Sequence, residues 1–172
     1  MATLIKEQRI VADSWRLLSR GPKGELPEAP AQGDVIVPLA LWLERREGFL
    51  AYPGKLGVWL DANEGPESIA ADLQRFALVA VNFPKFGDGR GYSIARLLRE
   101  RYGYKGELRA IGDVLHDHLH FMKQCGFDAF ALREDQDAQA ALAALDTFSD
   151  GYQTSVLRPV PLFRRRVTAG KP

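Results

Sequence analysis

The sequence is poor in cysteine: Cys125 is the only one among 172 residues. A single thiol cannot form an internal disulfide, and it cannot hold an iron–sulfur cluster, which needs about four protein ligands. Cys125 ends a predicted helix beside Gly126, a context that favours a small buried hydrophobic residue over a nucleophile. We expect a protein of the reducing cytoplasm, although one thiol is compatible with any compartment.

Long apolar runs are also missing. No uninterrupted apolar stretch approaches the ~20 residues that a membrane helix needs. The first residues, MATLIKEQRIVADSW, mix charges with apolar residues and lack the apolar core of a signal peptide. We therefore expect a soluble protein with no membrane association.

Neither sign of charge dominates, because 23 Lys and Arg residues are balanced by 22 Asp and Glu residues, for a formal net charge of +1. Such a chain has no overall field that would draw it to nucleic acid. The one basic run, FRRRV near the C-terminus, has no interleaved aromatic residues. It indicates a solvated tail and not a nucleic-acid site.

Composition divides the chain into three parts. Residues 1–33 hold one or two short extended segments and then a linker rich in Pro and Gly. Residues 34–153 carry the regular pattern of a main domain. Residues 154–172 are basic and interrupted by prolines, which predicts an extended tail.

The main domain alternates five short apolar runs with five segments of helical periodicity. The runs lack the one-sided polar alternation of a solvated antiparallel sheet, so they are typical of strands buried on both faces. We predict an α/β fold with a mainly parallel sheet of about five strands, either open or a partial, TIM-like barrel, plus a short N-terminal β extension. The predicted strands are DVIVPL, KLGVWLDA, FALVAVNF, GELRAIGDV and FDAFAL.

Polar residues follow these runs, where the carboxyl ends of parallel strands would meet at one edge. Ligands of such sheets bind beyond that edge. Asp61 and Asp113 are the candidates there for a general base. The alternative is that loops and helix starts at this edge are polar for structural reasons alone. The residues in question are Asp61, Asn82, Lys85, Asp88, Arg90, Asp113, Arg133, Glu134 and Asp135.

The segment NFPKFGDGRGYS, residues 82–93, stands between the third strand and the next helix. Its glycines suit positive φ and a close approach of a ligand to the backbone, and Ser93 is the predicted N-cap of the helix. Arg90 would offer a forked pair of donors and Lys85 a point charge. The competing explanation is a tight turn in which Arg90 pairs with Asp88 or Asp61. The predicted anion seat consists of Lys85, Asp88, Gly89, Arg90, Gly91 and Ser93, with Gly87 beside them.

This glycine pattern is neither a Walker loop nor a dinucleotide-binding fingerprint, so no cofactor motif is evident. The motif HDHLH places His116 and His120 four residues apart, a spacing that can bind a metal on one helical face. A metal would need further ligands, and we interpret the motif as the polar first turn of an amphipathic helix. We therefore expect no metal.

The stretch FPKFGDGRGYSIARLLRERYGYKGELRAIGDVLHDHLHFMKQCGFDAFALRED resembles a bacterial family of uncharacterised proteins, domain of unknown function 934. The resemblance extends from GVWLD to FSDGYQ and covers most of the main domain. The family pattern has Arg and Gln where this chain has the histidines of HDHLH. Its signature lies on Phe83, Pro84, Lys85, Phe86, Asp88, Gly89, Arg90, Gly91, Ser93, Arg96, Leu98, Arg99, Gly112, Asp113 and Val114.

Members of that family are typically encoded beside the assimilatory sulfite reductase, and some carry the label oxidoreductase without an established activity. The resemblance thus implies a role in sulfur assimilation linked to sulfite reduction. Our first hypothesis is an accessory protein that binds sulfite, sulfate or phosphate at Lys85–Ser93 or docks on sulfite reductase. The alternatives are an enzyme that uses Asp61 or Asp113 at the same edge, and a structural partner of sulfite reductase that docks through the FPKF aromatics and the tail.

Overall fold

The computed structural model describes residues 3–145 and 153–169. Within those ranges one sheet has eight strands in the order β2-β1-β8-β7-β6-β5-β4-β3. Strands β3 to β8 are mutually parallel, whereas β1 is antiparallel to both β2 and β8. The strands are β1 (Leu4–Lys6), β2 (Arg9–Val11), β3 (Arg16–Leu17), β4 (Val35–Pro38), β5 (Leu56–Leu60), β6 (Leu78–Phe83), β7 (Glu107–Gly112) and β8 (Ala129–Ala131).

Helical segments follow β4 to β8, as the alternation of apolar runs predicts. No helix of the described residues is both long and apolar enough to cross a membrane. The α-helices are α1 (Leu39–Leu50), α2 (Arg90–Arg96), α3 (Leu119–Gln124), α4 (Ala138–Ala144) and α5 (Leu162–Ala169). Two 3₁₀ segments span Pro66–Arg75 and His116–His118, and α2 continues into a π-helical turn, Leu97–Arg101.

The five predicted strands are confirmed as β4 to β8 and are parallel to one another. The predicted size of the sheet is wrong, because the N-terminal extension adds β1 and β2 at one edge and β3 at the other. These three strands have only two or three residues each, too few to show a periodic pattern. The extended tail is also wrong in part, since the chain forms α5 directly after Pro161, the last proline before residue 172.

The chain between β2 and β3 determines the shape of the sheet. These strands lie at opposite ends of the strand order, and residues 12–15 alone connect them. In a flat sheet the outer two of eight strands would be about 34 Å apart, at about 4.8 Å per neighbour. The five Cα steps from Val11 to Arg16 reach about 18 Å at full extension. The sheet must therefore curl, and of the two predicted shapes the partial barrel is confirmed.

The two faces of the curled sheet are covered differently. The helices pack on the outer face, where residues such as Val58, Val79 and Leu108 belong to the same main core as Trp42 of α1. This arrangement follows from right-handed crossovers between sequential parallel strands. The inner face holds a smaller apolar cluster formed by Ile36, Trp59, Leu78, Ala80 and Ile111, with Trp15 packed against it.

An ion pair between the exposed Arg46 side chain and the buried Asp72 carboxylate joins α1 to the 3₁₀ helix Pro66–Arg75. Nε and Nη2 of Arg46 donate to the two carboxylate oxygens of Asp72, at 2.8 and 2.7 Å. Asp72 is buried, and the hydrogen bonds from Arg46 lower the pKa of its carboxyl group below the ordinary value. A group whose pKa is lowered by folding stabilises the protein above its unfolded pKa, and that stabilisation is lost as the pH falls through the folded value.

We expect Asp72→Asn to lower the free energy of unfolding at pH 6. The difference in this free energy between wild type and variant should become smaller as the pH falls below about 4. Chemical denaturation of both proteins across this range measures the difference. Glu44→Gln is the control, because the pair of Glu44 with Arg45 is exposed on both sides and loosely spaced at 3.5 Å. A deficit of Asp72→Asn that stays constant with pH would contradict the role given to this carboxylate.

Candidate functional site

The polar residues predicted at the carboxyl edge come together in pairs there. Nδ2 of Asn82 donates to Oδ1 of Asp61 at 3.0 Å, across the ends of β6 and β5. Nη1 of Arg133 donates to Oδ1 of Asp113 at 2.6 Å, and the same guanidinium also binds Asp135. The prediction that one edge gathers these side chains is confirmed. Arg133 is thus bound by carboxylates of the chain, whereas Asp61 accepts from an uncharged amide.

Asp61 belongs to a local network that the sequence analysis missed in part. Its Oδ1 also accepts from the backbone N–H of Ala62 at 2.8 Å, while its own N–H donates to Glu64. Glu64 in turn forms a 2.5 Å ion pair with Arg20, whose guanidinium lies over the ring of Trp59. Arg20 comes from the Pro- and Gly-rich linker, so only tertiary structure brings it to this edge. Asp61 and Asp113 are both held by donors of the protein itself.

The segment Lys85–Ser93 differs from its predicted conformation. Helix α2 begins at Arg90 with Gly89 as the N-cap, so Ser93 lies inside the helix and the predicted N-cap is wrong. Gly87, Gly89 and Gly91 do not have positive φ, which corrects the second expectation. The helix starts one turn early because the Asp88 carboxylate accepts from the N–H of Arg90 at 3.2 Å.

Gly91 has a packing role. A Cβ atom at this position would lie 2.7 Å from Cζ of the Phe83 ring at the end of β6. Phe83 is buried, and its ring packs against Tyr92 and Phe127 with centroids 5.2 and 5.7 Å away. The absence of a side chain at Gly91 thus lets α2 lie directly on this aromatic group. By contrast, nothing lies within 4 Å of a Cβ atom built on Gly87.

Asp88 and Arg90 form a two-pronged ion pair, as the competing explanation predicts. Nε of Arg90 is 2.9 Å from Oδ1 of Asp88, and Nη2 is 2.6 Å from Oδ2. The Arg90 hydrogen bonds hold the pKa of Asp88 down at about 2. The Arg90 side chain is 59% exposed, and Lys85 is exposed in the same loop. A carboxylate of the chain itself thus occupies the donors that we assigned to an external anion.

The two histidines proposed as weak metal candidates lie on different helical segments. His116 is in the 3₁₀ turn, with Nδ1 2.9 Å from Gln136 Oε1, and His120 is in α3, with Nδ1 3.2 Å from the carbonyl of Leu145. Among the residues that the structure describes, no three His, Cys, Asp or Glu side chains are grouped as metal ligands would be. The expected single helix starting at HDHLH is divided in two.

Cys125 is buried, as its sequence context predicts. Burial in apolar surroundings raises the pKa of the thiol to about 11. The thiolate that a nucleophile needs is therefore scarce near neutral pH.

Two aromatic side chains remain exposed near the loop. Phe86 is 55% exposed and stacks on His118 at 4.3 Å between ring centroids. Phe121 is 53% exposed and meets Tyr92 edge-on at 4.8 Å. The expectation of exposed FPKF aromatics holds for Phe86 but not for Phe83, which is buried.

Comparison with known proteins gives one match. A family model described as a bacterial protein of unknown function, DUF934, matches residues 57–163. The matched range contains the segment Lys85–Ser93, whereas β1 to β4 lie outside it. Neither the curated proteins nor the solved structures contain a significant match.

The two glycines of the loop should respond differently to substitution. We expect Gly91→Ala to destabilise the protein by about 1–3 kcal/mol, because the buried Phe83 ring cannot yield without disturbing its neighbours. Gly87→Ala, the matched control, should change stability by no more than about 0.5 kcal/mol. Thermal or urea unfolding of the two variants measures both values. Equal effects would show that the glycines serve something other than this contact.

Proposed function

The chain belongs to DUF934, a family of bacterial proteins of unknown function, and we propose that it is an accessory protein that binds a small oxyanion at the segment Lys85–Ser93. The observation that carries the proposal is the position of Asp88. Its carboxylate, itself an oxyanion, is held by one backbone N–H and two guanidinium nitrogens of Arg90. The loop therefore has the hydrogen-bond donors that such an anion needs, and they already converge on one carboxylate.

On this proposal, binding is an exchange in which the incoming anion takes the Arg90 donors from Asp88. The exchange is sterically open, because the Arg90 side chain is 59% exposed. Lys85, also exposed, would add a second positive charge beside the anion. Asp88 competes at high local concentration, so the affinity of the wild-type protein should be modest.

We propose sulfite or sulfate as the anion and sulfite reductase as the partner. This part rests on the association with sulfite reduction that the family resemblance implies. The alternative of an enzyme with Asp61 or Asp113 as general base gains no support of its own, because both carboxylates pair with neighbouring donors. The binding role needs only the groups already described.

The proposal predicts opposite effects of two neighbouring substitutions. Asp88→Asn should tighten sulfite and sulfate binding, by roughly tenfold, because it removes the competing charge from Arg90. Arg90→Ala should abolish binding. Isothermal titration calorimetry at constant ionic strength measures both, with chloride as the non-binding anion.

Arg96→Ala provides the matched control. Arg96 is an exposed arginine of the same helix and pairs with Glu100 at 3.0 Å, so its removal changes the net charge equally but leaves the loop intact. Equal binding by wild type and Arg90→Ala, or weaker binding by Asp88→Asn, would refute the assignment of the anion to this segment.

The second candidate, a structural partner of sulfite reductase, is favoured by the exposed aromatic side chains Phe86 and Phe121. Large exposed aromatic residues are enriched at protein interfaces. In that case the tail, in which Leu157 and Phe163 are also exposed, would contribute further contacts to the partner.

We expect the double variant Phe86→Ser, Phe121→Ser to lose binding to purified sulfite reductase if this second function holds. Leu43→Ser is the control, because Leu43 on α1 is also 53% exposed. Surface plasmon resonance distinguishes the cases. If the double variant still binds but removal of residues 157–172 abolishes binding, the interface lies in the tail. If binding survives both changes, neither the two aromatic residues nor the tail forms the interface.

A further inference from the structure

A cavity lies inside the curled sheet, and none of its lining residues belongs to the segment Lys85–Ser93. Its volume is about 520 Å³, within the range of small-molecule pockets. Residues 12–15, the connector between β2 and β3, form one wall through Asp13 and Trp15. The opposite wall is the inner face of the sheet, where Ile111 and Ala131 supply apolar surface. We refer to this space as the inner cavity.

Arg109 lines the inner cavity and is among the largest fully buried side chains of the described residues. Its Nε and Nη2 both lie 2.7 Å from Oε1 of Glu107, and its Nη1 lies 2.8 Å from Oδ2 of Asp13. Lys6 completes the group through a 2.7 Å contact with Oε2 of Glu107. Two cations and two carboxylates thus balance one another, as burial requires.

The two carboxylates that hold Arg109 differ in the element that carries them and in their exposure. Glu107 belongs to β7, in the middle of the sheet, and its side chain is 8% exposed. Asp13 belongs to the connector, which pairs with no strand of the described sheet, and its side chain is 21% exposed. Arg109 itself is only 2% exposed. Asp13 is therefore the more accessible of the two carboxylates that bind this guanidinium.

We propose that the inner cavity binds a small monocarboxylate with an apolar or aromatic body. The carboxylate takes the place of Asp13 on Arg109, and the body lies between Trp15 and the surface of Ile111 and Ala131. The connector acts as a lid whose Asp13 closes the site when it is empty. This site is separate from Arg90 and independent of the oxyanion proposal.

A monocarboxylate is favoured because the other cation of the cavity is already neutralised. Arg133 binds both Asp113 and Asp135 at its guanidinium, and the neighbouring Glu134 adds a further negative charge to the lining. A second carboxylate on the ligand would be repelled by these acidic side chains, because Arg133 is already bound by two of them. The apolar wall, in contrast, suits a hydrocarbon or aryl group.

The test uses phenylacetate as the probe, with acetate to measure the contribution of the aryl body and phenylacetamide as the neutral analogue. Calorimetry on the full chain should show phenylacetate binding that acetate and phenylacetamide do not reproduce. Asp13→Asn should bind phenylacetate at least roughly tenfold more tightly, because the isosteric amide no longer competes for Arg109 with a charge. Arg90→Ala should bind it as wild type does.

A cavity-filling variant locates the site. Ala131→Leu keeps every charge but occupies the space for the aryl group, so phenylacetate binding should be lost. Equal binding of acid and amide would overturn the proposal, as would undiminished binding by Ala131→Leu or no gain in Asp13→Asn. Should Asp13→Asn fail to fold, the comparison of phenylacetate with phenylacetamide on wild type and Ala131→Leu is sufficient by itself. A wild-type protein that does not bind phenylacetate would reject the site.

Discussion

The short connection between β2 and β3 constrains the rest of the molecule. Four residues, 12–15, cannot reach across a flat eight-stranded sheet, so the edges of the sheet are drawn together. The curl gives the sheet an inner face without helices, and the connector covers it. The ion pair between Asp13 of the connector and Arg109 of β7 fixes this cover. Arg109 also binds Glu107, so the guanidinium keeps one carboxylate partner when Asp13 is replaced.

The carboxyl edge shows a related principle: three of its arginines are paired with carboxylates of the same chain. Arg20 pairs with Glu64, Arg90 with Asp88, and Arg133 with Asp113 and Asp135. Any anion that binds here has to displace an internal competitor. Such a surface would discriminate against weakly held anions, because only a ligand with a better geometry than the resident carboxylate gains by the exchange.

The features that could be predicted from the sequence are those that depend on residues close together in the chain. The strands β4 to β8 follow from apolar runs, and the pairing of Arg90 with Asp88 is a contact two residues apart. The strands β1 to β3 could not be found, because they are short and gain stability only from distant partners. Positive φ was wrongly expected of the loop glycines, because backbone freedom and close packing both favour glycine, and only the Phe83 ring beside Gly91 distinguishes the two causes. Arg109 was overlooked, although an arginine alternating with apolar residues in GELRAIGDV is a readable signal.

The pairing of β1 with β8 also affects the order in which the protein can fold. Ile5 lies opposite Phe130, so β1 leaves the ribosome about 125 residues before the strand β8 with which it pairs. At about 5–20 residues per second, the wait amounts to roughly 6–25 s. During that interval the edge of β1 that later pairs with β8 would be open to chaperones or to other nascent chains, while its other edge pairs with β2. Closure of the half-barrel would then be a late event in biosynthesis.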